Sequence, residues 1–283
     1  MAKAKRTEKK LPSDKTALEI GAIFAAASLA IEKIVQQAVG SKRLGEDAYL
    51  RQQRAAILEV VSATQRSSAP LIASAIRSAY ERGSGKALMW LAAFFGVRED
   101  QGFSKTDQAA VELIVQDTIG RLTDAASGMA RQADTILKEA AMQQLQDVAA
   151  INVAGPKFND AAELLESSLE RAGVSKLGAE LGDSKRLGIR LVRVAGKNWD
   201  AQKYSEMVIR TQTRDAHSRA TVQRLLENDQ DLVQITSHST TCEICAEHDG
   251  QIYSITGASD KYPPLEENAP FHPNCQHLCT PYL

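Results

Sequence analysis

Aromatic side chains make up only 5% of this chain, and no cysteine or histidine occurs before position 217. The first scarcity, together with abundant alanine through the first 150 residues, favours long packed helices over a β-sandwich. Long apolar runs are missing too. The longest, Ile20 to Ile31, has 12 residues, short of the ~20 needed to cross a bilayer. It follows a basic start, as a secretory leader would, but Asp14 and Glu19 stand just before it and argue for a helix behind a basic tail. Neither sign of charge is in excess: the net charge is −1 over 283 residues, with an apolar fraction of 43% that is ordinary for a globular chain long enough for one large or two modest domains. A phosphate-binding loop is lacking as well. Gly83-Ser84-Gly85-Lys86 is suggestive, but the motif needs a glycine where Tyr80 stands and a hydroxyl residue where Ala87 stands.

What is present is concentrated at one end. All four cysteines (Cys242, Cys245, Cys275, Cys279) and three of the five histidines (His248, His272, His277) lie between Cys242 and Leu283, with His217 and His238 just upstream. Two cysteines separated by two residues can direct both sulfurs at one ion, and a tetrahedral zinc site needs two further N or S ligands from elsewhere. Cys242 and Cys245 form the first half, and His272, Cys275, His277 and Cys279 offer the second, with Pro273-Asn274 as a turn former. A disulfide framework would need an oxidising compartment, and a redox pair would need a βαβ context that the sequence does not suggest. Ordinary buried thiols are the remaining bland reading. With three or four Cys/His ligands from two turns, the shell closes without water, so the expected site is structural. Glu247 and Asp249 keep a hydrolytic site in view, although the deaminase pattern is missing.

Charge separates the functional alternatives further. From Asp231 to Leu283, Lys261 is the single basic residue against seven acidic ones. Such a segment repels phosphate, which argues for protein contact or fold closure over DNA reading. Arg171 to Lys203, in contrast, holds eight basic residues against three acidic. These ordinarily form a solvated face; Lys185, Arg186, Arg190, Arg193 and Lys197 are the candidates for contact with DNA or an acidic partner.

Periodicity predicts helices over 16–40, 46–66, 70–82, 105–122 and 128–148, with 83–86 as a loop and Leu88–Phe95 (LMWLAAFF) as core in preference to a site where another subunit docks. Pro70 suits a first turn. Gly155-Pro156 breaks the pattern. Beyond it we expect a helix over 160–172, a strand over 187–194, a helix capped by Asp200 and running to about Asn228, and strands over 232–236 and 251–255. The expected fold is mainly α: elongated or bundled N-terminal helices, then a small α+β C-terminal domain closed by a Cys/His zinc site. The expected divisions are a flexible basic tail (1–16), a helical domain (17–155) and a C-terminal domain (156–283) carrying the zinc segment 238–283.

Four stretches carry a resemblance. AGKNWDAQKYSEMVIRTQTRDAH (195–217), DLVQITSHSTTCEICAEHDGQIYSITG (231–257), YPPL (262–265) and FHPNCQHLCTPY (271–282) resemble the minor capsid proteins of tailed phages (minor capsid protein 2 type), a group related to phage Mu F-like head morphogenesis proteins. The likeness covers about 190–283. Its helix motif falls on Trp199, Tyr204, Met207, Arg210 and Thr211, and its terminal motif on His272 to His277, where Gln276 replaces an arginine common in the family. The resemblance implies a low-copy internal head protein that meets the portal protein during procapsid assembly and DNA packaging or ejection. The major capsid or scaffold protein and packaged DNA are further expected contacts. It implies no reaction, membrane or small-molecule substrate, and places the protein in the capsid interior after assembly in the host cytoplasm. The expected metal set is Cys242, Cys245, His272 and Cys275 around one structural Zn²⁺, with His277, Cys279 and His238 as alternates. The opposing expectation is a metal-dependent nuclease or toxin-like enzyme using His248 or His277 with Glu247.

Overall fold

A computed structural model describes residues 12–98, 102–153, 191–194, 197–238 and 242–283. Three helices come first: α1 (Pro12–Gly40), α2 (Asp47–Phe95) and α3 (Lys105–Val153). A two-stranded antiparallel hairpin follows, β1 (Leu191–Val194) with β2 (Lys197–Asp200), and then α4 (Ala201–Leu226). The C-terminal stretch holds β3 (Leu232–Ile235), the single turn α5 (Glu243–Ala246), β4 (Ile252–Ser254) and β5 (Cys279–Pro281). The chain is mainly helical, with this small sheet at its C-terminal end.

Two compact units share the chain, and α1, α2 and α3 each contribute residues to both. One unit consists of Gly21–Ser67 with Thr123–Tyr204. Its helical core is Phe24, Ile31, Val35, Ile57, Val61, Met129 and Leu137, interleaved with buried Ala38, Ala133, Ala140 and Ala141. Small side chains let the backbones approach, which is how a core with so few aromatics closes. The α1–α2 turn is clamped by Gln144 of α3: its side-chain oxygen accepts from the Leu44 amide at 3.0 Å. Arg54 meets Asp134 at 2.6 Å. These pairings run α2 and α3 antiparallel here.

The other unit comprises Met1–Ile20, Ser68–Leu122 and Ser205–Leu283. Its polar anchor is Arg224, 4% exposed, which reaches Asp107 at 3.1 Å and donates to Ser84 at 3.0 Å. Tyr80 donates to the same carboxylate at 3.1 Å. Ser104 and Asp107 cap α3 reciprocally, each accepting the other's backbone N–H. Leu88 and Leu91 of α2 pack with Val222 and Leu225 of α4, Val233 and Ile235 of β3, Ala269 and Cys279. The sheet runs β4-β3-β5, antiparallel throughout, with Val233 opposite both Tyr253 and Pro281.

The structure corrects the helix breaks expected from the sequence. The helices expected at 46–66 and 70–82, the loop at 83–86 and the apolar run are one helix, α2. Its buried stripe passes through Ile57, Val61, Thr64, Ser68, Ile72, Ile76, Tyr80, Ser84, Ala87 and Leu91 without a phase break. Pro70 lies on the opposite, exposed side, where water can serve the carbonyl its missing N–H leaves free. Gly83 is a packing residue and not a loop former, because a Cβ there would fall 2.1 Å from the His217 carbonyl oxygen of α4. The helices expected at 105–122 and 128–148 are likewise one, α3. The run Leu88–Phe95 is not buried as a whole. Leu88 and Leu91 are, while Met89, Phe94 and Phe95 are 66%, 55% and 47% exposed, since a helix turns one face at a time to its core. The expected helix over 160–172 and the strand start over 187–190 lie outside the described residues.

Candidate metal centre

The site is assembled from two short turns on a helical backstop. In the first, Cys242 sits just before α5 and Cys245 within it, with the Ala246 amide closing onto the Cys242 carbonyl at 2.9 Å. The chain then reverses through Gly250, whose φ of 77° is costly for any residue with a Cβ. The second is His272–Cys275, closed by the Cys275 amide on the His272 carbonyl at 3.0 Å, with Asn274 at a φ of 65°. Asparagine tolerates that conformation better than most residues.

One face of α4 supports the second turn. The Asn274 amide donates to Thr211 Oγ1 at 3.3 Å, Arg214 donates to the Cys275 carbonyl at 3.1 Å, and the Cys279 amide donates to Ser218 Oγ at 3.0 Å. Thr211, Arg214 and Ser218 are spaced i, i+3, i+7, one helical stripe. Asp200 caps the helix by accepting from the Lys203 amide at 3.0 Å, as the sequence suggested.

Two overlapping groups of soft donors result: Cys242, Cys245 and His272, and Cys245, Cys275 and His277, each with its ligand atoms within 4.8 Å of one another. Cys245 belongs to both. The Cys245 and Cys275 sulfurs are 3.6 Å apart, and His277 Nδ1 is 3.4 Å from Cys275 Sγ. His272 Nε2 lies 2.9 Å from Cys245 Sγ and 3.3 Å from Cys242 Sγ. Burial and the neighbouring Cys275 and Cys242 thiols push Cys245 up to about 12. Cys242 is held below its ordinary value, chiefly by the Cys245 backbone N–H. Three sulfurs and two imidazoles gathered this closely are the donor types of a soft metal ion, zinc by default, which would hold the sulfurs as thiolates.

Both imidazoles have a partner on the side away from the sulfurs. His272 Nδ1 is 2.8 Å from the Pro273 carbonyl, and His277 Nε2 is 2.8 Å from Asp249 Oδ1. Asp249 also accepts from the His238 amide and Ser237 Oγ, both at 2.8 Å. The His238 amide and the His277 and Ser237 side chains together hold its carboxyl down at about 2. His277 is 1% exposed, with the His238 ring edge-on to it.

Among the described residues, the four expected ligands Cys242, Cys245, His272 and Cys275 all fall within these groups, and so does the alternate His277. Cys279 does not. It lies in the apolar core, where burial pushes its thiol up to about 11. His238 turns its Nε2 to Thr236 at 2.9 Å. Of the expected basic contacts, Lys185, Arg186 and Arg190 lie outside the described residues, while Arg193 and Lys197 fall in β1 and β2, with Arg193 opposite Asn198 and Lys197 opposite Val194. In the expected motif helix, Trp199 and Tyr204 meet edge-on at 6.3 Å, Met207 is buried, and Arg210 pairs with Glu206 at 3.1 Å and Asp14 at 3.5 Å. Glu247 is 72% exposed beside His248, which stacks on Phe271 at 4.1 Å.

Sequence reasoning missed Arg214, Ser218 and the orienting role of Asp249. The i, i+3, i+7 spacing from Thr211 was there to read, but nothing local says which helix face meets the turn.

Residues 185–283 match the family model for phage minor capsid protein 2. The C-terminal third resembles phage minor capsid protein 2. The matched segment contains both turns and every candidate ligand. The family is one of structural capsid proteins, which supports a virion-associated, structural part for this chain. No curated protein and no solved structure matches it. No helix among the described residues is long and apolar enough to cross a membrane.

Proposed function

We propose that the protein is a low-copy structural component of a phage head, bound to the portal inside the capsid and serving procapsid assembly and DNA packaging or ejection. The observation that carries this reading is the family match, which spans the whole Cys/His-bearing segment. In this reading the segment is closed by one structural zinc ion held by the Cys242, Cys245 and Cys275 sulfurs and one of two imidazoles, His272 or His277. Three sulfurs and an imidazole fill a tetrahedron and leave no position for a reacting water, so the ion supplies folding energy and no reaction. The acidic balance of 231–283 favours a protein surface as the segment's partner. Basic residues 185–197 are the candidates for DNA.

Quantitative mass spectrometry of purified particles tests the reading. The expected result is this protein at a fixed copy number, at or below that of the portal. Finding it only outside particles would overturn the head-protein reading, and metal-dependent nuclease activity abolished by Glu247→Ala would replace it.

A further inference from the structure

We infer that the imidazole ligand is His277, and that Asp249 is the positioning residue which makes it one. The inference rests on the metal reading above and assigns the part of the site which that reading leaves open.

The edges of the donor groups decide between the two histidines. A zinc ion with sulfur at about 2.3 Å and nitrogen at about 2.0–2.1 Å has tetrahedral edges of about 3.8 Å between sulfurs and about 3.6 Å between sulfur and nitrogen. The Cys245–Cys275 separation of 3.6 Å and the Cys275–His277 separation of 3.4 Å come within a few tenths of these. Of the two His272 separations, the 3.3 Å to Cys242 comes as near, but the 2.9 Å to Cys245 falls well short. At 2.9 Å the two atoms stand closer together than a sulfur and a nitrogen bound to one zinc ion do.

The far side of each ring points the same way. His272 is half-exposed and leans on the carbonyl of its own neighbour, Pro273. His277 is buried and gives its Nε2 proton to a carboxylate, which fixes the tautomer, leaves the Nδ1 lone pair facing Cys275, and makes the ring a better donor. Asp249 is itself fixed by the Ser237 hydroxyl and the His238 amide, so it cannot swing away from the ring without breaking the loop after β3. Cys242 lies within 4.8 Å of Cys245 though outside the group of Cys275 and His277, and a turn of its side chain toward them completes the four. His272 then lies beside the Cys242 and Cys245 sulfurs without binding the ion.

The test uses the full chain with isotope-labelled histidine rings, loaded with an NMR-active cadmium isotope. Scalar coupling between cadmium and His277 Nδ1, with the proton on Nε2, is the expected result. Coupling to His272 Nε2 and none to His277, or a proton found on His277 Nδ1, would overturn the inference while leaving the metal reading standing. A chain that takes up neither zinc nor cadmium overturns both. Asp249→Asn is expected to weaken zinc retention against a chelator by about 10–100-fold and to alter the His277 tautomer signal. Unchanged retention and tautomer in that variant would also contradict the assignment.

Discussion

The unit of Gly21–Ser67 with Thr123–Tyr204 and the stretch 231–283 reach order by opposite means. In the first, the portions of α1, α2 and α3 that lie in the unit carry unbroken buried stripes of alanine and branched aliphatic residues, so each turn supports the next. In the second, the regular elements are strands of three or four residues and a single helical turn, too short to hold themselves. Side chains do the holding there. Asp231 accepts from Thr256 N and Oγ1, both at 2.7 Å, and from Ser254; burial works against the charge, but those bonds outweigh it and keep the carboxyl below its usual range. Thr280 donates to the Gln234 carbonyl at 2.9 Å, and the Cys/His cluster ties the two turns together. Stability spread along a helix survives the loss of one residue. Stability gathered at one point does not.

The largest expected effect follows from that contrast. Structural zinc is worth roughly 10–16 kcal/mol of apparent binding energy in small zinc domains, and because the two turns lie outside the apolar core around Val233 and Ile235, much of that energy is expected to be folding energy here. Cys275→Ala is therefore expected to open 231–283 to protease while the helices of the alanine-rich unit keep their resistance. Next in size is the buried polar anchor. Asp107→Ala leaves the buried Arg224 guanidinium with Ser84 and the partly exposed Glu227 but without its buried carboxylate, a loss of up to the about 3–5 kcal/mol that breaking a buried ion pair costs. Thermal unfolding is expected to show that loss, and Arg224→Met with Asp107→Leu together to recover much of it.

A pH effect of somewhat smaller size is expected at His217. Its ring nitrogens have no hydrogen-bond partner among the described residues, and burial, with help from Lys86 and Arg82, lowers it from 6.5 to about 4. The unfolded chain binds the proton more readily than the folded one. Stability from this group is complete above about 6.5, declines as pH falls, and is gone below about 4, a change of roughly 3 kcal/mol. Denaturant melts at stepped pH are expected to show that decline, flattened in His217→Leu. The smallest effect belongs to the exposed Arg66–Glu59 pair. Glu59→Gln is expected to shift stability by less than about 0.5 kcal/mol.

The sequence made the chemistry of the site legible and its support nearly invisible. CxxC followed by HxxCxH places donors on two turns, because those spacings are local and turns are made locally. Which histidine faces the sulfurs depends on Asp249, a residue 28 positions from His277, and on how the sheet brings them together. The helical part was legible in kind and wrong in its breaks. Pro70 read as a helix start and Gly83 as a stop because each is a poor helix former in a helix interior. The buried stripe running past both outweighs that propensity, and at Gly83 the missing side chain is what lets α4 approach. The exposed aromatics of LMWLAAFF show the converse error, in which composition was taken for burial.

The central claim is that a metal ion closes the C-terminal stretch while the alanine-rich unit stands without one. Amide hydrogen exchange on the full chain, with and without a strong zinc chelator, tests it most directly. The account predicts that chelation removes protection across 231–283 and leaves 21–40, 54–67 and 123–149 unchanged. Equal protection in both conditions, from protein shown to carry zinc before chelation, would contradict it.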